Sequence, residues 1–302
     1  MKNFNEIYVQ VLKESKDELE RLRKSNLSKT IIAILCAIML LIICFKFGNN
    51  IVVIILLWIC VLLGILLLQR NSNGYREFYK EKVVKTFIKS YSDDLSYYPE
   101  NGISSYDYRN SGFESFYDRY HSEDLIKGTV DGHEIMMAEV HTQREEETRD
   151  SDGNTSTHYV TIFHGLFGNV KINNNFNGEI KIHSDKGKFG KIFESKKRVE
   201  MDSSEFEKYF DVYGDDKIQV MQILTSDIID EMLEFRKNNK IIFEITINRN
   251  QLFIRFYTGS MFEGNVFKSS VDFDTLKGMF DIINFTFDIT RRFIKVLEET
   301  QI

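Results

Sequence analysis

Cysteine is scarce and confined to one place. The three residues, Cys36, Cys44 and Cys60, all lie inside apolar runs, and none follows from Gln69 to Ile302. That number cannot build a disulfide framework, and the cysteine-free remainder suits a thiol-reducing compartment. An excess of basic charge is also missing. With 39 Lys+Arg against 45 Asp+Glu the formal charge is -6, which excludes the basic footprint of a general nucleic-acid binder; no nucleic-acid partner is expected. Charged residues at 28% and hydrophobic residues at 43% exclude wholesale disorder, and equally a multi-span transporter. A chain of 302 residues holds one large domain or two small ones.

What the sequence does contain begins with two long apolar runs. Ile31 to Phe45 is unbroken, Ile51 to Leu68 is a second, and only Lys46-Phe47-Gly48-Asn49-Asn50 separates them. Crossing roughly 30 Å of hydrocarbon takes about 17–25 helical residues. The second run reaches this length outright. The first reaches it if it starts near Leu27 and Lys46 extends its ammonium to the interface. Gly48-Asn49-Asn50 supplies the turn of an antiparallel pair. A cleaved signal peptide fits poorly, because a second run follows at once and no small-residue cleavage site lies between them. Residues 30–69 are therefore expected to form a two-helix transmembrane hairpin. Lys13, Lys16, Arg21, Arg23, Lys24 and Lys29 precede it, and Arg70, Arg76, Lys80, Lys82, Lys85 and Lys89 follow it. Basic flanks stay cytoplasmic, so the expectation is a two-pass protein of the cell membrane with both termini in the cytoplasm.

Residues 1–29 read as a cytoplasmic amphipathic helix, with Phe4, Ile7, Tyr8, Val11, Leu12, Leu19 and Leu22 at helical spacing. Residues 70–91 read as a juxtamembrane basic helix. Its apolar face is Tyr75, Phe78, Tyr79, Val83, Phe87, Ile88 and Tyr91, and Arg76, Lys80, Lys82, Lys85 and Lys89 are candidate contacts to anionic headgroups of the lipid bilayer. A stalk helix packed on the following domain is the alternative. Residues 92–302 are expected to form a cytoplasmic α+β domain of antiparallel sheet with flanking helices and a long C-terminal helix, with a sub-boundary near 195–200. Ser92 to His121, which holds the single proline, Pro99, reads as irregular with a short helix at Gly112 to Tyr120. Leu125–Val130 and His133–His141 read as a hairpin around Asp131-Gly132. Gln143 to Thr157 is polar throughout and reads as a mobile loop. Further strands are expected at Tyr159–Phe163, Val170–Ile172, Glu179–His183, Ile241–Ile247 and Leu252–Tyr257. Helices are expected at Glu205–Phe210, at Asp216–Phe235 with a restart at Thr225, and at Asp274 to Glu299.

Several short motifs carry a resemblance. After the membrane hairpin come Tyr120-x-Ser-Glu-Asp124 with Lys127-Gly128, Ala138-Glu139, Phe163-His-Gly-Leu-Phe167 and Phe176-Asn-Gly-Glu179. Glu205-Phe-Glu-Lys-Tyr-Phe210 with Val212-Tyr213 and Ile223-Leu-Thr225 follow. Together they resemble the bacterial membrane family catalogued as domain of unknown function 3137, over most of Tyr75 to Ile302. Ser226 stands where that family often has a proline. The resemblance implies no catalytic residues. It implies a membrane-protein partner of LemA type and a shared membrane assembly.

Local chemistry is thin. Asp150-x-Asp152-Gly153-Asn154 starts like a calcium loop, but Thr155 and Thr161 stand where an EF-hand needs Gly and Glu. Gly187-Lys-Phe-Gly190-Lys191 is too short between its glycines for a phosphate loop and lacks Ser/Thr after the lysine. His164-Gly165-Leu166-Phe167-Gly168 has no Gly-x-Ser-x-Gly partner, so its glycines read as places of close backbone approach. Of six histidines, His133 and His141 share strand parity with Glu139, and His164 lies on a separate strand. No His-Glu-x-x-His or Cys/His spacing joins them. No metal and no cofactor is expected, and the catalytic residues are unknown. The expectation is a non-enzymatic, membrane-anchored protein whose cytoplasmic domain mediates protein–protein or self assembly, a homo-oligomer included. The alternative is a ligand sensor or enzyme built on residues such as His133, Glu139, His141 and His164. A third is lipid-headgroup binding through the basic helix.

Overall fold

Strands joined by short turns build an antiparallel sheet in this computed structural model, which describes residues 3–47, 59, 74–149, 155–172, 176, 178–184, 198–264 and 271–300. The chain divides into two units. One comprises Met1–Tyr91 with Phe262–Leu276, the other Ser92–Met261 with Lys277–Ile302.

In the first unit, helix α1 (Phe4–Phe47) runs 44 residues without a break. Phe4, Ile7, Val11, Ser15 and Leu19 are its buried stripe, the i, i+3/i+4 spacing that lays one helix face on a neighbour. That neighbour is α2, residues 74–91, which buries Tyr75, Tyr79, Val83, Val84, Phe87, Ile88 and Tyr91. The Ser15 hydroxyl is absorbed by the Val11 carbonyl at 2.6 Å, and Thr86 donates to Glu14 across the pair at 3.2 Å. Phe4 and Tyr8 each meet Phe273 edge-on, with centroids 5.1 Å apart. A π-turn, Lys80–Val84, interrupts α2. Beyond residue 30 the character of α1 changes. Ile31, Ile32, Ile34, Leu35, Ile38, Met39 and Ile42 are all exposed, and only Ala33 and Ala37 are intermediate between residues 31 and 39.

The second unit is a nine-stranded sheet among the described residues, in the order β1-β2-β3-β4-β9-β8-β5-β7-β6 and antiparallel throughout. The strands are β1 (Leu95–Tyr98), β2 (Arg119–Val130), β3 (His133–Arg149), β4 (Thr155–Lys171), β5 (Glu179–Ser184), β6 (Arg198–Val199), β7 (Phe210–Gly214), β8 (Phe243–Asn248) and β9 (Gln251–Phe256). One face carries Ala138, Val140, Phe163, Phe167 and Phe253, covered by Ile103, Tyr108, Phe113 and Tyr117 from the segment that holds α3 (Ser105–Asn110). The other face is covered by α5 (Ser226–Asn239) and α6 (Phe273–Thr300). There Phe235 stacks on Phe285 at 4.1 Å, and Phe285 reaches Phe243 at 5.0 Å. A short helix, α4 (Lys217–Ile223), is capped by Asp216, whose carboxylate accepts from the Ile218 amide at 2.8 Å. Asp131 and Gly132, at φ 49° and 86°, form the expected turn between β2 and β3, where positive φ at both positions matches the strand twist.

The α+β class, the antiparallel sheet and the long closing helix stand as expected. Several elements differ. The loop expected at Gln143 to Thr157 is mostly strand: β3 runs to Arg149 and β4 starts at Thr155, paired residue by residue, and residues 150–154 lie outside the described residues. Both faces of this ribbon meet solvent, so no apolar alternation announces it. The helix expected at Gly112 to Tyr120 sits earlier, as α3, because Ser104 caps it by accepting from the Asp107 amide at 3.1 Å and Gly112, at φ 64°, ends it. Strands β1 and the start of β2 occupy the stretch expected to be irregular. Glu205–Phe210 is a single 3-10 turn, Phe206–Lys208, and Phe210 opens β7, whose five residues are all buried and so leave no period-2 signal. Among the described residues no helix is long and apolar enough to cross a membrane, so the fold does not support the expected transmembrane hairpin. Its first run ends α1, where side chains beyond Met39 are described only at Ile42. The second run, Ile51 to Leu68, lies outside the described residues except at Ile59. The Asn177-Gly178 turn (Asn177) and most of the basic patch from Lys186 to Arg198 also lie outside them.

Candidate functional site

The basic helix is α2, and its five cations divide into two sets. Lys80 is buried, with its ammonium 3.5 Å from Glu263, and Arg76 meets the same carboxylate at 2.9 Å. Lys85 pairs with Glu81 one turn away at 2.6 Å. Lys82 and Lys89 are exposed. Arg76 and Lys80 are thus engaged at Glu263, while Lys82, Lys85 and Lys89 share an outward face at helical spacing, with Lys85 paired to Glu81 along it.

Strand β3 separates the histidines that sequence parity grouped. His133, at its start, is buried, with Nδ1 3.1 Å from the Lys171 carbonyl and Nε2 3.8 Å from Glu298. Glu139 and His141 lie farther along the same face. The register places Glu139 opposite Glu123 and His141 opposite both His121 and His164. His141 and His164 stack with centroids 4.5 Å apart. Burial, then His164 and His121, hold the His141 pKa below its ordinary value.

One row from these histidines lies an acidic cluster. Carboxylate oxygens of Glu123, Asp124 and Glu139 all fall within 4.8 Å of one another, and Asp124 and Glu139 are buried. The register of β2 against β3 slips between Glu123 and Ile126, and Asp124 sits at φ 61°, so the bulge turns its carboxylate inward. The Tyr97 hydroxyl donates to Asp124, and the Met261 amide donates to Glu139. Burial and then Asp124 push the Tyr97 pKa up, since an ionised phenol there would be both desolvated and beside a carboxylate. An oxygen set of this kind is what a hard divalent cation takes. Sequence reasoning singled out Glu139 alone as a candidate site residue and met Glu123 and Asp124 only inside a resemblance motif, because the bulge that brings in Asp124 leaves no periodic trace.

The other sheet face holds a polar knot that sequence reasoning missed. Arg255 is 2% exposed. Its guanidinium donates to Glu244 at 2.7 Å, to Glu114 at 2.8 Å and to the Tyr108 hydroxyl at 3.2 Å. Tyr257 also donates to Glu244, at 3.2 Å. The guanidinium lies 4.5 Å from the Phe113 ring centroid and 5.1 Å from that of Phe163. Burial opposes the charge, but Glu244 and its neighbours outweigh it and the Arg255 pKa is raised. Arg255, Glu244 and Tyr108 are buried at its centre, Glu114 and Tyr257 are half-buried at its rim, and the knot binds the covering segment to the sheet.

Residues 161–295 match the family described as "Protein of unknown function (DUF3137)", which bears out the resemblance; the motifs around Tyr120 and Ala138-Glu139 precede the matched stretch. Most of the motif residues are packing positions: Phe163, Phe167, Phe206, Phe210 and Val212 are all buried. No curated protein matches the chain. A solved structure, the crystal structure of the mycobacterial trehalose monomycolate transport factor A, TtfA, is similar at 10% identity over 68% of this chain and 92% of that one, with a TM-score of 0.36. That is too distant to carry an argument.

Proposed function

We propose that this chain, matched to a family without an assigned activity, is a non-enzymatic cell-membrane protein whose sheet unit assembles with a protein partner or with itself. Its anchor is the two-pass apolar hairpin, with both termini cytoplasmic. The observation that supports the anchor is the apolar end of α1, where seven large side chains between Ile31 and Ile42 are exposed around a continuous helix. A surface helix hides such residues along one stripe; a helix that exposes them nearly all round calls for an apolar surrounding.

The assembly half of the proposal rests on the ribbon formed by residues 143–149 and 155–161. It extends about 20 Å at 3.3 Å per residue, past the end of β2 pairing at Arg119↔Gln143 and well short of β9, which pairs only with Leu166–Lys171. Among the described residues its two outer edges have no sheet neighbour. Open strand edges accept another strand. A second reading, headgroup contact, is favoured by the outward face of Lys82, Lys85 and Lys89.

Extraction from the native membrane in mild detergent tests the proposal. A stoichiometric protein partner, of the LemA type the resemblance implies or a second copy of this chain, is the expected result. A chain that comes out monomeric and alone overturns the assembly proposal. One that comes out alone with a retained small molecule moves the protein to the sensor or enzyme class.

A further inference from the structure

Three histidines from three adjacent strands stand in one row. His121 on β2 is the direct partner of His141 on β3, and His141 is the direct partner of His164 on β4. Direct partners in an antiparallel pair point to the same face with Cβ atoms about 4.5–5.5 Å apart, so the three imidazoles rise side by side. Nothing in the linear spacing of residues 121, 141 and 164 shows this; the register alone does.

The row reaches solvent and its nitrogens are lightly held. His121 has 70% of its side chain exposed, with Nε2 3.5 Å from Glu123. His141 Nε2 is 2.9 Å from the Thr161 hydroxyl, and His164 Nε2 is 3.2 Å from the Ser260 hydroxyl. A hydroxyl rotates away without leaving a charge behind. Among the described residues neither His141 nor His164 has a carboxylate at ion-pair distance. The bland alternative is a solvated strand face that happens to carry three histidines. Against it stands the stacking of His141 on His164 with ring centroids 4.5 Å apart: two imidazoles already face one another across a strand pair.

We propose that the His121–His141–His164 row is a binding site for a divalent transition metal of the zinc class. Imidazole nitrogen suits zinc, copper and nickel, and metal–nitrogen bonds of about 2.0–2.1 Å require the central ring to turn out of its stack so that its neighbours lean toward a shared ion. Glu123, beside His121, orients that ring as carboxylates orient ligating histidines. Three protein ligands on a face that reaches solvent leave a fourth position open, the arrangement of an exchangeable rather than a closed structural ion. The carboxylates of Glu123, Asp124 and Glu139 one row away form a different donor set, which takes hard cations.

The full chain in detergent, stripped with a chelator, is titrated with zinc chloride by calorimetry. One zinc per chain is the expected result. His141→Gln and His164→Gln should each weaken binding about tenfold or more, since even loss of a group that only supports a ligand costs about 10–100-fold, while Asp124→Asn leaves it within about twofold. Copper(II) loaded on the unsubstituted chain should show imidazole-nitrogen hyperfine splitting, a readout that needs no variant to fold. No uptake, uptake indifferent to both histidine substitutions, uptake lost only in Asp124→Asn, or copper without nitrogen splitting would each overturn the site.

Discussion

At the scale of single residues, Arg255 bears the heaviest demand. It enters a desolvated space between Phe113 and Phe163, and it is tolerated there because Glu244, Glu114 and Tyr108 take its donors. Removing one partner of a buried pair leaves the other charge stranded, at a cost of about 3–5 kcal/mol. Arg255→Met should lower the thermal midpoint of the sheet unit sharply, and adding Glu114→Gln and Glu244→Gln should recover much of the loss. No recovery in the triple variant would mean that packing, not charge, sets the cost. The buried tyrosines give a second prediction. Burial is the first cause that raises the pKa of Tyr97, Tyr108, Tyr120 and Tyr257. A raised folded pKa means that the neutral form is favoured in the fold. Their stabilisation is therefore full below the unfolded value near 10 and is lost as pH rises beyond it. Tyrosinate absorbance should develop in two stages, exposed tyrosines first and the buried ones, these four and Tyr79 among them, only with unfolding. A single smooth titration at ordinary pKa would contradict their burial.

At the scale of elements, α2 and the β3–β4 ribbon behave in opposite ways. The stripe of α2 is apolar, yet it buries Lys80, held at Glu263 beside the π-turn. Glu263→Gln should destabilise the N-terminal unit by about 1–3 kcal/mol, the scale of a buried charged group losing a partner. Glu81→Gln, which touches only the exposed Lys85 pair, should change stability by at most a few tenths. Equal effects of the two changes would place Lys80 in solvent. The ribbon contributes pairing but no core, since residues 144–149 on β3 are exposed or nearly so. Excising residues 146–158 and joining the paired Glu145 and Tyr159 through Asn-Gly should leave the thermal midpoint within a few degrees, the shift that about 1 kcal/mol produces in a domain of this size. It should abolish the stoichiometric partner. A large loss of stability would make the ribbon part of the fold rather than an arm.

At the scale of the whole molecule, the question is what surrounds the apolar end of α1. All three cysteines lie in the two apolar runs, and Cys36 is exposed on α1. If lipid covers these runs, a membrane-impermeant maleimide should leave intact and inside-out vesicles unlabelled at Cys36, Cys44 and Cys60. Labelling should then appear on addition of denaturing detergent. Labelling of Cys36 in intact vesicles would remove the anchor.

The sequence alone was enough for the fold class, because alternation, turn pairs such as Asp131-Gly132 and the helical stripe of α6 are local signals that burial on one face imposes. It was enough for the buried stripes of α1 and α2 for the same reason. Strand β7 escaped it because residues buried on both faces show no period, and the ribbon escaped it because residues exposed on both faces show none either. The sites needed the tertiary structure for a different reason. His121, His141 and His164 lie on three strands, and Glu139 on β3 meets Glu123 and Asp124 of β2, so only the register of β2 against β3 and of β3 against β4 decides which side chains meet. Register is set by the sum of many cross-strand contacts and one bulge, so no spacing in the linear sequence contains it.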